Sequence, residues 1–216
     1  MTPGDRTVAF DIGGTFTDFV LHDAGTNRTH TLKVPTTPQD PSVAVIRGLQ
    51  AIVATAEADP GAVATMLHAT TVATNAVLER KGAATGLITT AGFRDVLIIG
   101  RQKRYETYDL YISKPKPLIP RRHIVEVSER MAPDGTVVAE LDMVSVDAAI
   151  DAMLASERQT VAVALLHADA KADHERRIRE RRAARAPHIS VSLSSEVSPK
   201  FREYERTSTT RTNAYV

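Results

Sequence analysis

The 216-residue chain contains no cysteine. That absence excludes disulfides, thiolate nucleophiles and cysteine-ligated metal, and it suits a reducing compartment. An excess of charge of one sign is missing too: 27 Lys and Arg against 26 Asp and Glu leave a formal net charge of +1, which implies no polyanionic partner. No apolar run approaches the roughly 18 residues that span a bilayer, and Met1-Thr2-Pro3-Gly4-Asp5-Arg6 carries no signal-peptide hydrophobic segment. The expected location is the cytoplasm. Internal repeats and low-complexity tracts are absent as well. What remains is ordinary for a globular chain: 43% hydrophobic and 25% charged residues, at a length that holds one large or two small domains.

Asp11-Ile12-Gly13-Gly14-Thr15-Phe16-Thr17-Asp18 lies between the apolar runs Val8-Ala9-Phe10 and Phe19-Val20-Leu21 and reads as strand, tight glycine turn, strand. Two adjacent glycines let backbone N–H groups approach a phosphate closely. Thr15 and Thr17 add hydroxyl donors, and Asp11, at the strand end, is placed to hold a metal ion or orient a water. The dinucleotide pattern G-x-G-x-x-G and the P-loop pattern are both absent, and the element after the turn is a strand, not a helix. Hairpins of this kind wrap phosphates in ATPases of the actin, sugar-kinase and Hsp70 type. The competing reading is a plain Gly-Gly hairpin with polar flanks. Asp18 is read either as a second catalytic carboxylate or as the partner of a surface cation.

Further along, residues 23–27 form a turn, 29–34 a third strand, and 35–41 a proline-rich link after which Ser42 is placed to cap a helix reaching about residue 58. Residues 63–69 form a short strand, and Thr70 or Thr71 caps a helix through Glu79 that Gly82 terminates. Hydroxyls at a helix start, with Asn75 four or five residues on, form a second candidate anion-binding constellation, against a plain N-cap with a buried amide. A buried strand follows at 86–89 and an extended, irregular link at Lys114 to Pro120. Residues 124–130 and 136–141 read as a hairpin through Pro133-Asp134-Gly135. Helix 145–156, strand 161–166, helix 172–186 and strand 189–193 complete the pattern. This alternation predicts an α/β fold, a mixed sheet flanked by helices, with a second small α/β lobe from about residue 80.

Other candidates compete with simpler roles. His167 and His174 flank residues 168–173, but the gap matches no recognised ligand spacing, and His174 suits the first turn of a helix. The helix carrying Arg176, Arg177, Arg179, Arg181, Arg182 and Arg185 reads as a solvated face with a Glu175–Arg179 pair, without the aromatic platform that nucleic-acid binding calls for. Gly92-Phe93-Arg94-Asp95 with Arg101 is a better basic site: Arg94 or Arg101 clamps a carboxylate or phosphate, or forms a structural Arg–Asp pair.

Beyond the glycine loop, the blocks Lys33-Val34-Pro35-Thr36-Thr37-Pro38, Thr70-Thr71-Val72-Ala73-Thr74-Asn75-Ala76, Glu79-Arg80-Lys81-Gly82-Ala83 and Gly86-Leu87-Ile88-Thr89-Thr90 follow in order, then Gly92-Phe93-Arg94-Asp95, Ser194-Ser195-Glu196-Val197-Ser198-Pro199 and Arg202-Glu203-Tyr204-Glu205-Arg206-Thr207-Ser208-Thr209-Thr210. With them the chain, from Val8 to its last residue, resembles the N-terminal region of the hydantoinase A/5-oxoprolinase family, which includes acetone carboxylase subunits. The resemblance implies an actin-like ATPase (ribonuclease H-like) N-terminal lobe that binds ATP and Mg2+. It implies Gly13, Gly14, Thr15, Thr17, Thr70, Thr71 and Asn75 on the nucleotide, Asp11 on the metal, and Asp11 and Asp18 as catalytic carboxylates. The implied reaction is ATP-dependent opening of a cyclic amide, hydantoin or 5-oxoproline, through a phosphorylated intermediate. The alternatives are a ketone carboxylase subunit and a non-catalytic truncated fragment or interaction subunit.

Residues 5–200 correspond to the family's N-terminal region and 201–216 to the start of the catalytic region that follows it. Several hundred further residues are implied, as a missing half or a partner subunit in a homo- or hetero-oligomer, so the isolated chain is expected to be inactive. No nucleic acid or membrane partner is implied. Ala69 stands where a glycine commonly precedes the threonines, adding a methyl group where positive φ or close ligand approach is expected.

Overall fold

Residues 6–102, 106–112 and 115–216 are described by a computed structural model; Lys114, at the head of the expected extended link, lies outside them. The chain divides after Glu79 into two units, each with its own sheet and core. No helix among the described residues is long and apolar enough to cross a membrane.

In the first unit, β1 (Arg6–Ile12), β2 (Phe16–Asp23) and β3 (Arg28–Pro35) form an antiparallel meander, and β4 (Val63–Thr70) adds to β1 in parallel, giving the order β3-β2-β1-β4. A parallel neighbour needs a crossover, and helix α1 (Pro41–Thr55) provides it. Period-two alternation decides the faces. Val8, Phe10 and Ile12 of β1 and Phe19 and Leu21 of β2 point to one side, where they form a core with Ile52 of α1. Asp11, Asp18 and the 40% exposed Val20 fall on the other side. Asp40, not Ser42, caps α1: its carboxylate accepts from the Ser42 amide at 3.0 Å and the Ser42 hydroxyl at 2.6 Å, with Pro41 pre-set for the first turn. The short helix α2 (Val72–Leu78) closes the unit. Its end is marked by Arg80 in the left-handed region at φ 57°, not by Gly82, which instead makes room for Tyr215: a Cβ there would lie 2.3 Å from the ring.

The second unit is built on β5 (Thr85–Thr90), β6 (Ile124–Val127), β9 (Thr160–Ala164) and β10 (Ser190–Leu193), all parallel in the order β10-β9-β5-β6. A two-stranded ribbon of β7 (Arg130–Met131) and β8 (Val137–Ala139) lies apart from that sheet. Segment 124–130 was expected in a hairpin. Its first half is instead drawn to the open edge of β5, because Ile124 and Val127 are both buried there, and only Arg130 and Met131 remain for the ribbon.

Helices α3 (Val96–Ile99), α4 (Met143–Ala155), α5 (Asp173–Arg185), α6 (Ser194–Val197) and α7 (Glu203–Tyr215) complete the unit. Strand β9 shows how sequence assigns the layers. Val161 and Val163 join Val146, Ile150 and Ile178 of α4 and α5 in one core, whereas the smaller Ala162 and Ala164 meet Ala214 of α7 in another. Every residue of β5 is buried, as expected for a strand covered on both faces.

A buried polar network joins the C-terminal ends of the strands. Glu175, expected to pair with Arg179, turns inward and accepts from the Leu165 and Ser195 amides at 3.0 and 2.9 Å and from the Ser194 and Ser195 hydroxyls at 2.6 and 2.7 Å. Arg179 bonds Glu196 instead. Burial pushes the Glu175 carboxyl up, and the hydrogen bonds from Ser194, Ser195 and Leu165 pull it back. Arg206, 2% exposed, ties the network to Asp169 at 2.7 Å and to the Leu165 carbonyl at 2.9 Å. The remaining α5 arginines mostly meet acids: Arg181 and Arg185 converge on Asp147, holding its carboxyl at about 2 against an ordinary 3.8.

Glu175→Ala leaves two buried amides without acceptors, and we expect it to lower the unfolding free energy by about 3 kcal/mol in urea titration; a loss under about 1 kcal/mol would contradict a role in holding the strand ends. For Asp147 the folded chain releases the proton more readily than the unfolded one. Its contribution is therefore complete above about pH 4 and lost as the pH falls through about 2. Asp147→Asn should flatten this part of the acid limb in a pH series of thermal melts.

Candidate functional site

The turn between β1 and β2 is closed by one backbone hydrogen bond, Gly13 N–H to Phe16 O at 3.0 Å. Neither Gly13 nor Gly14 has positive φ, so backbone conformation does not demand glycine at either position. The reason is space. A Cβ on Gly13 would sit 2.7 Å from the Phe16 carbonyl oxygen, and one on Gly14 would sit 3.1 Å from Asn75 Nδ2. Residues 61 positions apart in sequence thus meet over the turn, with Asn75 held by its Nδ2 on Thr71 Oγ1 at 3.4 Å.

Thr36, which the sequence reading did not single out, locks this turn. Its amide donates to the Thr15 carbonyl at 3.0 Å and its hydroxyl to the Gly13 carbonyl at 3.0 Å. Since the one Thr36 hydroxyl proton goes to that carbonyl, the 2.9 Å contact between Thr17 and Thr36 hydroxyls has Thr17 as donor. Thr17 is fully buried. Strand alternation turns it to the core face, and its proton is committed, so the expected phosphate donor is a structural one. Thr15, in contrast, is exposed at the tip.

On the other flank, the Thr71 amide donates to the Ile12 carbonyl at 3.2 Å, and the Thr70 and Thr71 hydroxyls lean on the same oxygen at 3.4 Å. The Thr70 hydroxyl also accepts from the Val72 amide at 3.2 Å, whereas Thr71 makes no side-chain cap. Helix α2 has seven residues. The threonines instead pin the end of β1 to the start of α2. Ala69 pairs with Asp11 in the strand register without positive φ, so its methyl group brings no backbone strain.

Asp11 and Asp18 stand directly opposite one another across β1 and β2, an arrangement of like charges that costs stability unless cations intervene. Lys33 answers Asp18 at 3.0 Å, on an exposed pair. For Asp11 there is no such answer: Oδ1 is buried and has no hydrogen-bond partner among the described residues. No group of three or more His, Asp or Glu side chains is placed to hold a metal ion among the described residues. Of the two histidines considered for a metal, His174 is buried and bonds Glu129 Oε2 at 2.8 Å through Nδ1, and Glu129 in turn bonds the Thr90 hydroxyl. In the basic candidate, Asp95 takes a two-pronged bond from Arg121 at 2.6 and 2.9 Å, and Arg101 bonds Glu205.

A family model described as the hydantoinase/oxoprolinase N-terminal region matches residues 7–185. An uncharacterised protein of Methanocaldococcus jannaschii is 39% identical over 212 residues, covering 97% of this chain and 31% of its own. The caprolactamase subunit alpha of Pseudomonas jessenii is 34% identical over 222 residues, covering all of this chain and 32% of its own. The crystal structure of the ATP-dependent caprolactamase from that organism matches with a TM-score of 0.83 at 34% identity, over 97% of this chain and 31% of that chain. A nucleotide-free structure of acetone carboxylase, described for ATP-dependent acetone carboxylation, matches with a TM-score of 0.86 at 27% identity, over 97% of this chain and 32% of that chain. The chain therefore shares its α/β fold with both and spans about a third of the length of these relatives.

The two glycines separate in a stability assay. Gly13→Ala drives a methyl group into a backbone oxygen and should cost about 2 kcal/mol, whereas Gly14→Ala displaces only the weakly held side-chain end of Asn75 and should cost under about 1 kcal/mol. Denaturant titration of both variants checks the order; equal costs would contradict the close-approach account.

Proposed function

Because the chain belongs to the hydantoinase/oxoprolinase family, we propose that its glycine hairpin is the phosphate cradle of an ATP-dependent enzyme that opens cyclic amides, set in an actin-like ATPase lobe. The observation that carries the reading is Asp11: a strand-end carboxylate whose buried Oδ1 lacks a hydrogen-bond partner among the described residues, beside a turn whose two glycines present no side chains. An unpaired buried carboxylate oxygen is costly, and a hard cation or an ordered water is its natural partner. On these grounds Asp11 would hold magnesium, which when bound would spread the charge of the phosphates.

The chain's own residues then divide the work. Backbone amides of Gly14 and Thr15 face the phosphates, Thr15 adds an exposed hydroxyl, and Asn75 orients whatever lies over Gly14. Thr17 and Thr36 hold the turn rigid from behind, and Thr70 and Thr71 fix the end of β1. Asp18, exposed and paired with Lys33, is assigned an electrostatic role around Asp11. Amide resonance makes a lactam carbonyl a poor electrophile. Transfer of the γ-phosphoryl group to the amide oxygen removes that resonance, and water then attacks the carbon, opening the ring and releasing phosphate. The names of the solved relatives, both ATP-dependent, support this chemistry. The likeness to acetone carboxylase supports a second reading, a subunit of an ATP-dependent ketone carboxylase. In either, the portion by which the relatives exceed this chain, or a partner subunit, supplies the rest of the cleft.

Asp11→Asn in the complete enzyme should reduce substrate-dependent phosphate release by about 100-fold or more while circular dichroism stays unchanged. Near-normal release would remove Asp11 from the mechanism. Hydantoin, 5-oxoproline and caprolactam against acetone with bicarbonate, assayed side by side, separate the hydrolase from the carboxylase.

A further inference from the structure

The second unit holds a cavity of about 570 Å³ beside α3 and the start of α7. Its apolar surface comes from Leu97 and Ile99, an aromatic edge from Tyr204, and its charge from Arg101, Lys116 and Arg121. Gly100, at φ 60°, lets the chain turn beneath the Tyr204 ring, whose Cε2 would lie 3.7 Å from a Cβ there. Arg101 and Arg121 are matched by Glu205 and Asp95. Lys116 meets no carboxylate among the described residues.

Two more guanidinium groups stand behind this wall. Arg80 donates to the carbonyls of Lys116 and Pro117, at 2.6 and 3.2 Å, and so shapes the wall without being neutralised by it. Arg211 lies two turns along α7 from Tyr204, on the same helical stripe; among the described residues it bonds only the Ser208 hydroxyl, at 3.3 Å, and its buried Nε has no partner. Burial pushes the Arg211 guanidinium down; Tyr204 pulls it up and the charge of Arg80 pushes it further down. Arg94, whose Nη2 holds the Arg121 carbonyl at 3.0 Å, likewise has a buried Nε without a partner among the described residues. Cations thus outnumber the carboxylates that pair with them around a partly apolar hollow. Arg211 is half-buried, and a protein bears the cost of such an unmatched cation where an anion completes the arrangement.

We propose that this cavity binds a small organic carboxylate, its apolar body against Leu97, Ile99 and Tyr204 and its carboxylate at Lys116 in the field of Arg80 and Arg211. The volume suits an organic body, and the apolar wall gives a bare inorganic anion little to contact. Guanidinium groups favour planar carboxylates. The site is independent of the glycine hairpin and its proposed nucleotide.

Calorimetric titration of the protein with pentanoate, pentanamide and inorganic phosphate tests the proposal. Pentanoate should bind saturably, about tenfold or more tighter than pentanamide and tighter than phosphate. Lys116→Gln and Arg211→Gln should each weaken it about fivefold or more with circular dichroism unchanged, and Asp11→Asn should leave it unaltered. No saturable pentanoate binding, equal affinity for the uncharged amide, tighter binding of phosphate, or wild-type affinity in Lys116→Gln would each overturn it. Should Arg211→Gln fail to fold, Lys116→Gln, on an exposed residue, decides alone.

Discussion

A relay of two threonine hydroxyls, Thr17 to Thr36 and Thr36 to the Gly13 carbonyl, is the interaction on which the candidate site depends. It fixes the first residue after β1 from the core side and leaves the outer side of the turn to whatever binds there. Because Thr17 is fully buried, its end of the relay is shielded from water, and the bond it donates is electrostatically stronger than it would be at the surface. The backbone bond from the Thr36 amide to the Thr15 carbonyl adds the tip of the turn to the same anchor. The glycines therefore sit on a frame made by β3 and its trailing link.

The outer side is arranged by a different constraint. Strand alternation that puts Phe10, Ile12, Thr17 and Phe19 inward puts Asp11 and Asp18 outward and opposite each other. One of the two is answered by Lys33, whereas Oδ1 of the other has no hydrogen-bond partner among the described residues. Charge asymmetry of this kind, built from neighbouring backbone positions, creates a preference for a cation next to the turn proposed to cradle phosphate. The proposed metal nucleotide satisfies both preferences together.

The hairpin of the candidate site and its facing aspartates were legible in the sequence because their signals are local. Gly13-Gly14 between two apolar runs announces a hairpin, and Asp11 and Asp18 take their facing positions from the strand period alone. What escaped depends on tertiary contact. Thr17 looked like a donor until burial committed its proton, and Thr36 looked like linker until it met Gly13. Glu175 obeyed helical spacing on paper, but four inward donors outbid one exposed arginine. Strand β6 went to the parallel sheet and not to a hairpin because burying Ile124 and Val127 outweighs a nearby turn signal. Each miss is a case of long-range packing overriding a short-range preference.

The unequal crowding of the two turn glycines bears on how the evolutionary record of this loop is read. At Gly13 any side chain collides with a backbone oxygen, so natural selection will keep glycine there for folding whether or not the protein retains an activity. At Gly14 only the movable end of Asn75 stands in the way. An alanine or serine at that second position in a descendant lineage, with the first glycine intact, is thus the mark by which a family member that has abandoned its ligand while keeping its architecture would be recognised.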